Sequence, residues 1–579
     1  MMIRIFIISL LTLSMVACNK TDFLDATGES LEVLDKAKTF SDSVRTMQFL
    51  TGIYEDLSYN FQLPGGSNNA DFSKMCDEAE GKFPAGGNFD KVITQGTFAS
   101  NFYGGISNQW AKYYADINNA NVFLAEVDGS PLSASQKTRT KAEARFLRAF
   151  YYHMLLKYFG GVPILGDQAY TTKEQATAKR NTYAECVDYI VSELDELAAI
   201  LPASYSGLNF GRITRGACLA LKSRVLLFAA SPLYNGGSTA TNQELKELTA
   251  YPTFDQNRWE LARTAALEVM NTGLYSLNVD NDTRPGNGFY KVFITRVNNE
   301  LILPRPLPTG KQLETAHNPR TRGGSNFFHY PTQNLVDMFP MRNGLAITDP
   351  ASGYNASNPY ANRDPRLGYT VIYNESLYYL QSERGLAPVY TYVGSGNDAI
   401  VAVSSNTATT TGYYVRKMCD EQAAVTGGSN VDRSLPIIRY GEILLNYAEA
   451  SNETGRIDDA LGALKQIRER AGILPGANNR YGLPSSPSKE ELRNIIMNER
   501  AIELAFEQHR FWDLRRWKTG EPLLDGKYVH GMRITKSGNN YTYNRINVRT
   551  RYFKELYYYF PISLSDVVIN PNLLQNPGY

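Results

Sequence analysis

Tyr440-Gly441-Glu442-Ile443-Leu444-Leu445-Asn446-Tyr447-Ala448-Glu449-Ala450-Ser451 is the stretch that decides the fold of this 579-residue chain. Within it Tyr440, Ile443, Leu444, Tyr447, Ala448 and Ser451 recur at i, i+3, i+4 and i+7, the spacing that lines one face of an α-helix. Past Gly455 the same spacing returns in Ile457, Ala460, Leu461, Leu464 and Ile467. Two such helices, joined by a short turn and carrying small residues where they meet, make the unit that tetratricopeptide repeats stack.

The helical texture extends back through the N-terminal half. In Arg145 to Met154, positions 146, 149, 150, 153 and 154 share a helical face, and Gly160-Gly161 ends that helix. A second helix runs through Ala217, Leu221, Val225 and Phe228 and stops before Pro232. Between about 278 and 433 the periodicity fades and Pro, Gly, Asn, Thr and Tyr dominate. Tyr369-Thr370-Val371-Ile372-Tyr373 reads as a short strand in a stretch of long ordered loops. Loops held on a scaffold are where binding sites sit. The expected fold is mostly α, a tetratricopeptide-like helix-pair scaffold with a large loop-rich ligand-binding region and a few short strands.

The N-terminus speaks of location. After Arg4, Ile5 to Val16 is nearly all apolar, too short to span a bilayer that needs roughly 20 apolar residues. Small residues then precede Cys18, which reads as a lipobox: residues 1–17 are a signal peptide and Cys18 carries lipid. An ordinary secretory signal is the alternative. Residues 19 to about 45 read as a polar tether. Lys plus Arg (59) balance Asp plus Glu (58), so no global field draws nucleic acid. Cys76, Cys186, Cys218 and Cys419 are too scattered for a metal site and read as buried apolar residues, with one disulfide left open. The five histidines have no metal-ligand spacing, and no nucleotide or hydrolase motif appears. No cofactor or metal is expected. Trp110, Trp512 and Trp517 read as packing residues.

The strongest charge pattern lies from Asn498 to Trp517, where Glu499, Glu503 and Glu507 stand four apart among Arg500, Arg510, Arg515 and Arg516. As a catalytic pair, Glu503 and Glu507 would be the acid and base of a glycosidase. Two carboxylates one turn apart among guanidiniums both stay ionised, however, which suits no general acid. They read as a network that locks one long helix to its neighbours. This stretch resembles the SusD/RagB family. So do Arg145 to Pro163, Gly211 to Leu233, Asn362-Arg363-Asp364-Pro365-Arg366-Leu367 and Pro436 to Ala450. The resemblance divides the chain into an N-terminal helical region (18–235) and a C-terminal region (278–579). The latter is loop-rich over 278–433 and helical over 434–520, and both parts pack as one globular unit.

The resemblance implies a non-catalytic lipoprotein of the outer membrane, facing the cell surface. It would bind an oligosaccharide or polysaccharide and pass it to a SusC-like TonB-dependent transporter. Peptide uptake is the alternative, and a lipid-anchored glycoside hydrolase a further one. Sugar rings want aromatic platforms flanked by polar groups. Two segments offer them. Asp71 to Asp90 contributes Asp77, in the acidic run Asp77-Glu78-Ala79-Glu80, with Phe83 and Phe89. Arg320 to Tyr330 contributes Phe327, Phe328, His329 and Tyr330. Calcium at Asp77 and Glu80 is a weaker reading, since the spacing lacks the EF-hand pattern.

Overall fold

The computed structural model describes residues 36–58, 71–81, 89–100, 107–170, 177–324, 329–402, 408–423 and 430–579. Its longer helices are α1 (Ser43–Glu55), α2 (Ser107–Glu126), α3 (Ala134–Phe159), α4 (Tyr183–Ile200), α5 (Arg215–Ala230) and α6 (Asn257–Asn271). After the loop-rich region come α7 (Tyr440–Glu453), α8 (Ile457–Arg470), α9 (Lys489–Glu503) and α10 (Arg510–Arg516). They stack as pairs: α2 on α3, α4 on α5, α5 on α6, α6 on α7 and α7 on α8. Ser133, Thr182 and Ser488 start α3, α4 and α9 with reciprocal capping boxes, each satisfying orphan N–H groups. The end of the stretch read as a tether is helical instead, in Lys36–Phe40 and the first turn of α1.

Helix α3 is buried more widely than one stripe. Residues 146, 149, 150, 153 and 154 are inside, and so are Leu147, Arg148, Tyr151 and Tyr152. The reason is its position, with α1, α2, α4 and α5 all packed around it. Buried Arg148 then needs partners, and finds Asn121 Oδ1 at 2.8 Å and Asp167 Oδ1 at 2.6 Å. The chain leaves α3 through Gly160 at φ 77°. Gly161 approaches so closely that a Cβ would sit 2.1 Å from the Asn181 carbonyl oxygen.

Strands are short and paired two by two, all antiparallel. β1 (Ala79–Gly81) pairs with β3 (His329–Pro331), β2 (Leu301–Pro306) with β8 (Ser434–Arg439), and β4 (Val371–Ile372) with β7 (Tyr414–Val415). β5 (Leu377–Leu380) pairs with β6 (Gly385–Pro388). The longest pair, β9 (Tyr528–Ser537) with β10 (Asn540–Thr550), is a hairpin turned at Gly538 (φ 58°). Of the strand expected at 369–373 only Val371–Ile372 pairs, because Asp364 caps a helix over Pro365–Thr370.

One hydrophobic cluster runs from Leu50 and Phe72 through α3 and α5 to Trp512 and Ile562. Aromatic rings join its two ends: Tyr158 meets Trp512 at 4.7 Å and Phe72 meets Phe511 at 4.5 Å. Trp110 packs with Phe159, and Trp517 is buried. Cys76, Cys186, Cys218 and Cys419 are all buried free thiols. Among the described residues no helix is long and apolar enough to cross a membrane.

The expected long helix over 498–517 is broken. α9 ends at Glu503, Phe506 and Gln508 take left-handed φ of 60° and 66°, and α10 starts at Arg510. Tertiary bonds outcompete the helix here. The Glu503 carbonyl, which Glu507 N–H would use, accepts from Lys417 Nζ (2.8 Å) and Arg439 Nη2 (2.9 Å). The Phe506 N–H donates to Glu78 Oε1 at 3.2 Å.

Candidate ligand-binding site

What surrounds the break is a closed ion network. Arg366 pairs with Asp364, Glu499 and Glu503; Arg439 with Glu300, Glu503 and Glu507. Arg468 pairs with Glu499, Arg470 with Glu300 and Glu503, and Lys417 with Glu507. Five cations meet five carboxylates, and no side chain among them exceeds 7% exposure. Burial alone would raise the Glu503 carboxyl, but Arg470, Arg439 and Arg366 outweigh it and hold it well below the usual carboxylate range. The functional alternative for Glu503 and Glu507 fails on the same geometry: both side chains are buried among guanidinium and ammonium groups, so neither can reach a glycosidic oxygen. What the network does is join. Glu300, Asp364, Arg366 and Lys417 come from the loop-rich region, while Arg439, Arg468, Arg470, Glu499, Glu503 and Glu507 come from the helical end.

The two segments singled out for ligand binding are brought together by the β1–β3 bridge, in the register Ala79 to Pro331, Glu80 to Tyr330 and Gly81 to His329. The acidic run that leads into β1 is the anchor of that bridge. Asp77 holds Arg510 through two bonds of 2.9 and 2.8 Å, a bidentate fork. Glu78 accepts from Phe506 N–H. Glu80 takes Arg549 Nε at 3.0 Å and Arg551 Nη1 at 2.8 Å. On the other side, Thr332 N–H donates to the Glu78 carbonyl at 2.9 Å, and the Thr332 hydroxyl donates to the Asp77 carbonyl. Burial and the neighbouring Asp77 charge push the Glu78 carboxyl up to about 8.

His329 closes β3. Its Nδ1 lies 2.6 Å from Asp71 Oδ2 and its ring stacks on Phe506 at 5.7 Å, with His317 at 4.7 Å. Burial would raise the Asp71 carboxyl, yet the charge and hydrogen bond of His329 hold it far below the ordinary range. Burial, then His329, depress His317. Upstream, Thr321 N–H and hydroxyl donate to Asp398, and Arg322 donates to the Ala387 and Pro388 carbonyls. The Arg320 segment is thereby rooted on the β5–β6 hairpin.

The individual candidates divide. Asp77 is 7% exposed and Tyr330 is fully buried, so both serve the interior here: Asp77 neutralises Arg510, and Tyr330 packs on Tyr414 at 5.9 Å. Neither offers a face to a ligand in this arrangement. The His329 side chain is 10% exposed. Phe83, Phe327, Phe328 and the lipidation candidate Cys18 lie outside the described residues, as does the side chain of Phe89. Gly81, just before the Phe83 segment in sequence, and His329, just after the Phe327-Phe328 pair, are register partners in one bridge. Asp77 and Glu80, engaged by arginines, leave no acidic pair for calcium there. Among the described residues no group of three or more His, Cys, Asp or Glu could hold a metal ion. Asp71, His317 and Phe506 are the supports that sequence reasoning passed over. Asp71 was inside the quoted segment, but nothing local pairs it with a histidine 258 positions on.

A helix-pair scaffold with a loop region fastened to it by buried ion pairs defines the class of protein. A profile described as "SusD family" matches residues 293–579, and one described as "Starch-binding associating with outer membrane" matches 29–227. The chain belongs to the SusD/RagB family. It is 25% identical over 481 residues to a protein of Bacteroides thetaiotaomicron named "Starch-binding protein SusD", covering 80% of this chain and 77% of that one. It is 23% identical over 419 residues to "SusD-like protein P38" of Formosa agariphila, covering 70% and 71%. Among solved structures, a SusD-like protein of Bacteroides fragilis superposes with a TM-score of 0.74 at 25% identity, covering 95% of this chain and 99% of that one. A structure named "Laminarin binding SusD-like protein" shares the fold, with a TM-score of 0.60 at 20% identity, covering 93% and 100%.

Proposed function

We propose that this protein captures a glycan at the cell surface and delivers it to a partner TonB-dependent outer-membrane transporter, with no covalent chemistry of its own. One observation carries the reading: Gly81 and His329, which flank the two aromatic segments, are paired in a single bridge, and Asp77, Glu78 and Glu80 fasten that bridge to Arg510 on α10, to the Phe506 N–H in the break before it, and to Arg549 and Arg551 at the end of the β9–β10 hairpin. A bridge tied down by buried ion pairs would let both segments meet one ligand at little ordering cost. Relatives named for starch and laminarin support a glycan as the ligand class. In this reading residues 1–17 direct export and are removed, Cys18 carries the lipid, and 18–235 and 278–579 work as one unit. Phe83, Phe89, Phe327 and Phe328 are the platform, with His329 at its base.

Native gels cast with a panel of polysaccharides test the proposal. Retardation by at least one glycan, with no release of reducing ends on long incubation, is the expected result. Sustained release of reducing ends would replace capture with hydrolysis. Retention of peptides in place of every glycan would move the protein to peptide uptake.

A further inference from the structure

Away from the β1–β3 bridge, six tyrosines form an unbroken row. Tyr390 meets Tyr392 at 5.8 Å, Tyr392 meets Tyr541 at 5.8 Å, and Tyr541 meets Tyr543 at 6.3 Å. Tyr543 then meets Tyr360 at 5.7 Å, and Tyr360 stacks on Tyr373 at 4.3 Å. Strand alternation explains part of it, for Tyr541 and Tyr543 sit two apart on β10 and share a face. The 390–393 segment runs beside β9, its Val393 N–H donating to the Ile534 carbonyl at 2.9 Å. Tyr390 is 39% exposed and the other five are half-buried, with one side on the core and the other toward solvent.

The row ends in a cavity of about 510 Å³, which Tyr360 and Tyr373 line together with Arg342, Arg363, Arg416 and Glu375. Its charge is lopsided. Arg284 and Arg416 share one carboxylate, that of Glu421. Arg363 spends its terminal nitrogens on the carbonyls of Pro359, Val336 and Phe339. Among the described residues neither Arg342 nor Arg363 has a carboxylate within 4 Å, and the Nε atoms of Arg342, Arg363 and Arg416 are buried without an acceptor. Asp364, also on the wall, is committed to Arg366. Along the row, Lys536 Nζ stands 5.3 to 5.9 Å from the rings of Tyr390, Tyr392 and Tyr541, again with no carboxylate in reach. The carboxylate on the rim is Glu375, which accepts from the Tyr541 hydroxyl at 2.9 Å.

We propose that this surface is a second glycan site, selective for acidic oligosaccharides: the cavity arginines seat a carboxylate or sulfate group, and the tyrosine row carries the adjoining sugar rings. It rests on the reading of the protein as a glycan binder and adds to it the ligand's charge. Tyrosines give flat apolar faces for the C–H side of a sugar and hydroxyls for its rim, while guanidiniums favour planar, bidentate anions. An exposed cation such as Lys536 moves aside or pairs with a second acidic unit.

Titration calorimetry of the full chain with oligogalacturonate, a sulfated carrageenan oligosaccharide, neutral maltoheptaose and oligoglutamate tests this. At least one acidic sugar is expected to bind tenfold or more tighter than maltoheptaose, and to weaken with salt; the two acidic sugars distinguish carboxylate from sulfate. Arg342→Gln, and Tyr392→Ala with Tyr541→Ala, should each weaken acidic-sugar binding at least tenfold. Lys536→Glu, on an exposed side chain that cannot disturb the core, should weaken it severalfold. Equal affinity for acidic and neutral sugars, unchanged binding in all three variants, or equal binding of oligoglutamate would overturn the proposal. If the variants bind normally while polysaccharide gels still retard the protein, this second site alone falls; if no glycan binds at all, the glycan reading falls with it.

Discussion

Replacing Glu503 by Gln removes one negative charge from the centre of the buried network and nearly nothing of its volume. Glu503 is fully buried and pairs with Arg366, Arg439 and Arg470. Those cations keep Asp364, Glu300, Glu499 and Glu507, but the network is left one positive charge in excess and a carboxylate oxygen becomes an amide donor facing guanidiniums. Removing one partner of a buried pair costs about 3–5 kcal/mol, because the other stays buried and unpaired. A pair on the open surface, Lys141 with Asp128, should by contrast change stability by no more than about 1 kcal/mol when Lys141 becomes Ala. Guanidinium chloride unfolding of the two variants beside the parent measures both. The sign of the pH effect follows from the same group: its folded value lies below its unfolded one, so its stabilisation is present above about pH 4 and is lost as pH falls further. The parent should therefore lose stability in acid more steeply than Glu503→Gln. A loss under 1 kcal/mol at neutral pH, or parallel acid curves, would refute the network as the joint between scaffold and loops.

Glu78 gives the opposite sign. Raised to about 8, it contributes stability that is full below about pH 4 and declines as pH rises toward 8, so Glu78→Gln should flatten the unfolding profile across that window. Asp77→Asn, which strands Arg510, is expected to cost about 3–5 kcal/mol while glycan retention by the folded fraction is kept; selective loss of retention would return Asp77 to the ligand. Gly161→Ala drives a Cβ into the Asn181 carbonyl and should destabilise by about 1–3 kcal/mol, read as a lower thermal midpoint. Cys18→Ser should shift the protein from the membrane to the soluble fraction with glycan binding intact; unchanged membrane association would exclude lipid at that position.

Much of the scaffold was legible because helix periodicity is local. The spacing in 440–451 and 457–467 marks α7 and α8 to within a few residues. The fading of that spacing marks the loop-rich region equally well. The limits are of one kind, interactions that span the sequence. Three glutamates could be seen four apart, but the partners that break the helix after Glu503 are Lys417 and Arg439, 86 and 64 residues away. The acidic run at 77–80 was visible as a motif, whereas its role was set by Arg510, 433 residues on. Tyr330 looked like a loop aromatic and is a core residue because β3 carries it against Tyr414. The β9–β10 hairpin went unread, although Ser537-Gly538-Asn539-Asn540 between two runs of alternating residues is a turn signal. Arginines scattered over 284–416 give no local sign that they share a cavity.

Capture of a glycan by the aromatic segments that flank the β1–β3 bridge is the central proposal. Its most direct measurement is the affinity of the full chain for the best polysaccharide of the panel, compared with that of Phe83→Ala, Phe327→Ala and Phe328→Ala combined. A loss of at least tenfold with an unchanged thermal midpoint is the result expected of a loop-borne platform. Full affinity in the triple variant would contradict it and take the ligand away from the bridge.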